Sequence, residues 1–479
     1  MKAAQLLGLL CLAAVSSSAQ VHEAWVNRYN GGYTNLSHSP IGLAMDSSGN
    51  VLVAGSSQSS PTNSDYVVLK YAPDGTQVWA ARWAPPAGGG TAASFAIDSH
   101  GDTSLTGSAG TVKISAAGAL AWVAPYAGTS LAAAANGTVY LTGFTNGAGF
   151  AVARLDAATG SNVWTAGWTT YPGYPSGADV VAVDQGGNLF VGAWARDYVQ
   201  WPVPIYGPYL VGFDASGQAA WACEVGIPYE WATHVERIAF DSAGDAYVVA
   251  PEVATTDQID KVGPTGTLAW RGWDYGYVWP TSGAAVDAAG NLYQTGNFWV
   301  GKEDGGTGAF LWQTNLYNQY SSYFTPTAIA LDLAGNVYVC GNPAPPGSGN
   351  ELATVKLDNS GSVTWSQLYH GSAIGAVAAI AVAPDGSIYV TASSANTSGG
   401  TDITTIKYVQ DPTIQPQPGG SMLLQLPGLP GSSAGLGATT NLVNWTELGP
   451  VVASTNGLFQ FMDTNAPLYP WRFYRWHSP

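Results

Sequence analysis

Between residues 197 and 274 the chain sets Asp197, Glu230, His234, Glu236, Arg237 and Asp274 in irregular stretches that read as loops. Two carboxylates on neighbouring loops could divide acid and base work in glycoside cleavage. The same residues equally make an ordinary solvated rim, and His234 reads most plainly as a satisfied polar contact. Other chemistries lack their residues. No His/Cys grouping has zinc-site spacing. We therefore assign no catalytic residue and expect no metal and no cofactor.

The same stretches are crowded with rings. TTYPGYPSG (169–177), WARDYVQWPVPIYGPY (194–209), GIPYEWATHVER (226–237), WDYGYVWPTSG (273–283) and NQYSSYFTP (318–326) hold most of them. They bring Tyr171, Tyr174, Trp194, Tyr198, Trp201, Tyr206, Tyr229, Trp231, Tyr275, Tyr277, Trp279, Tyr320 and Tyr323 into one sector. Aromatic faces stack on the apolar faces of sugars, and Tyr and Trp dominate protein-contact hot spots. These rings, with Asp197, Glu230, His234 and Asp274 as polar candidates, make an expected ligand-binding loop face. Glycan is its first expected ligand and protein its second. Rings packed loop on loop over the cores are the competing reading.

Loops need a scaffold, and the chain supplies one by repetition. IGLAMDSSGNVLVAG (41–55), VVAVDQGGNLFVG (180–192), GAAVDAAGNLYQTG (283–296) and AIALDLAGNVYVCG (328–341) share an apolar run, an Asp-x-x-Gly turn and an alternating run. Looser copies stand at 94–107, 131–143, 237–250 and 379–392, the 131–143 copy having AANG at its turn. The aspartate can accept backbone N–H groups ahead of it, and the glycine takes the positive φ. The ligand order of a calcium loop is absent.

A second half-repeat follows, as in VVLKYAPDGTQVWAARW (67–83) and TVKLDNSGSVTWSQLYHG (354–371). Here glycine precedes tryptophan by a fixed interval: Gly75/Trp79, Gly118/Trp122, Gly160/Trp164, Gly217/Trp221, Gly266/Trp270, Gly308/Trp312 and Gly361/Trp365. This reads as a hairpin turn followed by a ring that plugs the contact with a neighbouring unit. Lys70, Lys113, Arg154, Lys261, Lys302, Lys356 and Lys407 also recur and are expected to pair turn carboxylates.

Four strands per unit describe a β-propeller blade. The last unit reaches DITTIKYVQD (402–411) and stops before its tryptophan strand, while HEAWVNRYNGG (22–32) stands near the start with no partner. The second supplies what the first lacks. The expectation is an all-β, eight-bladed β-propeller spanning 20–411, closed by that N-terminal strand, with seven blades as the alternative if the AANG copy is irregular. The D-x-x-G-N-V-Y-V-x-G and V-K-L-D-x-x-G-x-x-x-W pattern resembles the SBBP repeats of secreted bacterial β-propellers. That resemblance implies the fold and little about activity. LDAATGSNVW (155–164) is similar to the repeats of quinone-dependent dehydrogenases, but their vicinal cysteine pair is absent.

Met1-Lys2, an apolar run and SSSA read as a signal peptide over 1–19, too short to span a membrane comfortably. The expected protein is therefore secreted, at the cell surface or extracellular with the periplasm as alternative, monomeric and free of transmembrane segments. Of three cysteines, Cys11 falls in that segment, leaving Cys223 and Cys340 as small buried hydrophobes in different repeats. The net charge of −16 comes with no basic stripe, which argues against nucleic acid as partner. Residues 412–420 read as a Pro/Gly linker, and 421–479 as a small β-sandwich-like module for retention, sorting, glycan contact or capping. An envelope or matrix role held by that module completes the functional alternatives.

Overall fold

The computed structural model describes residues 21–477, apart from 87, 147–148, 171–175, 201–202, 227–233, 253–255, 274–280, 297, 318–323, 344–350, 370 and 372. Among these residues, eight four-stranded antiparallel sheets form a β-propeller-like, all-β fold. Among the described residues, no helix is long and apolar enough to cross a membrane. Sheet one serves as the type, with strands His38–Met45, Val51–Gln58, Ser64–Tyr71 and Gln77–Trp83 in sequence order. Sheets two to seven repeat that order over 92–124, 130–166, 176–224, 237–273, 283–315 and 325–369.

Local chemistry makes each unit. At the first turn of sheet one, Asp46 Oδ1 accepts the N–H groups of Ser48 and Asn50, both at 2.9 Å, while Gly49 takes φ 77°. The side chain satisfies donors that the strands cannot reach. At the AANG turn, Gly137 N–H still reaches Ala134 O at 2.9 Å, so the backbone closes this turn without the carboxylate. The second strands are buried on both faces, as the adjacent pairs Val51/Leu52 and Tyr247/Val248 show.

Sheet eight joins the N-terminal strand to residues 374–410. Its strands Ile374–Val382, Ile388–Ala395 and Thr401–Gln410 are followed in space by the N-terminal strand Val21–Tyr29. That strand lies antiparallel to Thr401–Gln410, with Trp25 opposite Lys407, Val26 opposite Ile406 and Tyr29 opposite Ile403. The first strand of each sheet touches that of the next, and Ile374–Val382 touches His38–Met45 of sheet one.

Tryptophan and glycine join the sheets. A Cβ on Gly118 would sit 2.8 Å from the Trp79 ring, one on Gly160 2.5 Å from Trp122, and one on Gly75 2.8 Å from Trp25. These glycines have φ of 85°, 68° and 89°, a region that already disfavours side chains. Each indole also donates Nε1–H to a carbonyl in the neighbour's turn: Trp79 to Ala116 at 3.1 Å, Trp122 to Ala157 at 3.1 Å and Trp25 to Pro73 at 3.1 Å. Trp25 thus meets sheet one as Trp79 meets sheet two.

The recurring cations pair carboxylates in four sheets: Lys70–Asp46 at 2.8 Å, Lys113–Asp98 at 2.8 Å, Lys261–Asp241 at 2.9 Å and Lys302–Asp287 at 3.5 Å. They also reach across to the next sheet. Lys70 donates to Ala116 O at 3.3 Å and Lys261 to Gly305 O at 3.1 Å, the carbonyls that Trp79 and Trp270 use. Arg154, Lys356 and Lys407 keep this outward bond, to Ala215 O, Gln410 Oε1 and Pro73 O. Cys340 is fully buried and Cys223 partly so, both free, and burial pushes both thiols up.

Beyond the eight sheets, two three-stranded sheets share one core around Leu424, Leu436, Phe459 and Tyr474. Thr413–Pro416, within the expected linker, is a strand paired with Met422–Pro427. Arg472 holds the buried Asp463 at 2.6 Å, and Tyr474 Oη donates to it at 2.8 Å.

Candidate functional site

The central hairpin of sheet four departs from its neighbours. Its strands Leu189–Gln200 and Val203–Phe213 have 12 and 11 residues, against 8 each for Val51–Gln58 and Ser64–Tyr71 of sheet one. They stay paired from Leu189/Phe213 out to Gln200/Val203. One of the extra residues is taken up by the irregularity between Arg196 and Tyr198, so three further paired positions at ~3.4 Å each carry the hairpin about 10 Å past the corresponding end of sheet one. The stretch 194–209 was expected as a loop; its described residues, 194–200 and 203–209, are corrected to strand. Val199, Val203 and Ile205 favour extended backbone, and antiparallel pairing satisfies the polar groups that a loop would leave to water.

Among the described residues, this hairpin gathers four sequence candidates along one element. Trp194 lies opposite Pro208 and also pairs with Gly177 of the first strand, Ser176–Val183. Its indole rests on Gly177, where a Cβ would come within 2.1 Å of Nε1, so only glycine admits the ring. Tyr206 meets Trp194 edge-on, with centroids 5.7 Å apart and planes at 81°. Tyr198 lies opposite Ile205 in the register, and Asp197 is the extra residue of a bulge between Arg196 and Tyr198. Trp201, the remaining ring-bearing candidate of this stretch, lies outside the described residues. So do Tyr171, Tyr174, Tyr229, Glu230, Trp231, Asp274, Tyr275, Tyr277, Trp279, Tyr320 and Tyr323.

A second group lies where sheet four meets the chain entering sheet five. His234 Nε2 is 3.6 Å from Glu236 Oε1, and Arg237 is exposed at the head of the strand Arg237–Phe240. The sequence reading missed Asp179, which is the extra residue of a bulge between Ala178 and Val180. Its carboxyl accepts the Val235 N–H, while Oδ2 is buried without a partner. Burial raises Asp179 to about 6, opposed by the charge of His234 and by that hydrogen bond. Near pH 6 such a carboxyl is half protonated and can give or take a proton. The one clue in the sequence is an acid inside the apolar run GADVVAV.

The sign of this shift sets a pH dependence. A carboxyl raised in the folded state favours folding when protonated, so its penalty is absent below about 4 and grows as pH rises to about 6. Asp179→Asn removes the penalty. Its melting temperature is expected to match the wild type at pH 3.5 and exceed it increasingly to pH 7. Parallel melting curves across that range would contradict the assignment.

No family model matches the chain, and no curated protein matches it. Among solved structures, a protein of unknown function from Bacteroides caccae is similar at 14% identity and a TM-score of 0.37, covering 67% of this chain and 93% of that one. The PQQ-bound aldose sugar dehydrogenase from Streptomyces coelicolor is similar at 17% identity and a TM-score of 0.31, covering 58% and 93%. At these values neither likeness bears on activity.

Proposed function

We propose that the chain is an exported, SBBP-like β-propeller of eight blades, closed by its N-terminal strand, that serves as a binding scaffold and not as an enzyme. Glycan is the ligand class that its aromatics suit best. The projecting hairpin of sheet four carries this reading: Trp194 and Tyr206 stand together on a rigid element, and rigid placement of rings lowers the cost of binding. The cyclic order of contacts between first strands supports the ring, and the charged start with its apolar run supports export.

The test is affinity electrophoresis of residues 20–479 through gels containing neutral polysaccharides. Retardation by at least one polysaccharide is expected, and its loss in Trp194→Ala and Trp201→Ala. Unretarded migration in every gel would overturn the glycan reading.

Asp179 favours one alternative. A carboxyl poised near pH 6 beside His234 suits glycan cleavage, and the two readings separate by assay of reducing-end release. Release that disappears in Asp179→Asn would replace the scaffold reading with an enzymatic one.

A further inference from the structure

The N-terminal strand has two working faces. Trp25 Nε1 and Asn27 Nδ2 face sheet one, donating to Pro73 O and Gly75 O at 3.1 and 2.7 Å. The other face looks toward Val363–Tyr369, the fourth strand of sheet seven. A groove of about 600 Å³ opens there, lined by Glu23, Val26, Arg28, Gln367, Tyr369 and Gly371 among others. Small-ligand sites commonly measure ~300–1,000 Å³.

Arg28 distinguishes this groove. Its Nη2–H donates to the Tyr369 phenol at 2.7 Å, and among the described residues no carboxylate comes within ion-pair distance of it. Three other arginines of the fold are committed to aspartates: Arg82 to Asp65 at 2.5 Å, Arg271 to Asp260 at 3.2 Å and Arg472 to Asp463 at 2.6 Å. Gly371 keeps the phenol where Arg28 can reach it, since a Cβ there would lie 2.0 Å from Tyr369 Oη.

We propose that this groove binds a small hydroxylated carboxylate of the sugar-acid class. The planar guanidinium of Arg28 pairs with the carboxylate, and Gln367 and Glu23 take hydroxyl groups. A groove lined by one guanidinium and one carboxylate side chain suits a single negative charge. A doubly charged phosphate meets repulsion from Glu23 and from a chain of net charge −16. A neutral sugar leaves the guanidinium without its strongest partner.

The probe is D-glucuronate, titrated calorimetrically into residues 20–479, with D-glucose and inorganic phosphate as comparators. Saturable binding of glucuronate is expected, with both comparators at least tenfold weaker and a tenfold or greater loss in Arg28→Gln. Because Arg28 sits on the strand that completes sheet eight, Gln367→Ala provides a second variant, expected to lose affinity three- to tenfold with its melting transition intact. Absence of glucuronate binding in the wild type overturns the proposal, as does wild-type affinity in Arg28→Gln. If Arg28→Gln fails to fold, wild-type affinity in Gln367→Ala overturns it.

Discussion

Deleting residues 20–32 is expected to make the protein aggregate and lose its cooperative melting transition. Among the described residues, the strand Val21–Tyr29 pairs along the outer edge of Thr401–Gln410, which otherwise has one bridge, from Ser37 to Thr401. Its removal exposes Ile403, Ile406 and Tyr408, each with no solvent exposure in the intact fold. It also removes Trp25 from Gly75 and leaves the Pro73 carbonyl without the indole. A bare apolar strand edge templates association between molecules, so the consequence exceeds that of an ordinary terminal trim. Deletion of 1–19 alone keeps the strand and is expected to leave solubility unchanged. Size-exclusion chromatography and thermal unfolding of the two truncations make the comparison. A monomeric 33–479 protein with the melting curve of 20–479 would remove the seam from the account.

Lys113→Met is expected to destabilise the protein by about 3–5 kcal/mol, the usual result of leaving a buried charge alone. The side chains of Lys113 and Asp98 are 4% and 1% exposed and meet at 2.8 Å. Lys113 also reaches Gly137 O and Ala157 O at 3.4 and 3.5 Å, so the loss loosens the joint to sheet three. Asp98 must stay as an acceptor, because its Oδ1 holds the His100 and Asp102 N–H groups of the turn. Adding Asp98→Asn keeps that acceptor and removes the stranded charge. The double variant is therefore expected to recover part of the lost stability in denaturant titration. A single variant within 1 kcal/mol of the wild type would mean that the pair behaves as an exposed one.

The joints were legible in the chain because their geometry leaves a local mark. A turn at positive φ asks for glycine, and an indole laid on that turn asks for the absence of a Cβ, so Gly118 and Trp122 recur at fixed spacing. The pairing of Lys70 with Asp46 was legible for the same reason. The second bond of Lys70, to Ala116 O, was not, because its partner belongs to the next sheet. The sheet-four hairpin was hidden by its prolines: Pro202, Pro204 and Pro208 read as loop, yet Pro204 and Pro208 sit in the paired strand Val203–Phe213. Asp179 was hidden inside an apolar run. Arg28 and Tyr369 are 341 residues apart, and only the folded chain brings them together.

The seam between Val21–Tyr29 and Thr401–Gln410 is the central claim, and native-state hydrogen exchange tests it most directly. Every inward amide of Val21–Tyr29 that pairs with Thr401–Gln410 is expected to exchange as slowly as its partners there, through the same cooperative opening. Exchange of the 21–29 amides within seconds, while Ile403 and Ile406 stay protected, would show that the strand does not complete the eighth sheet.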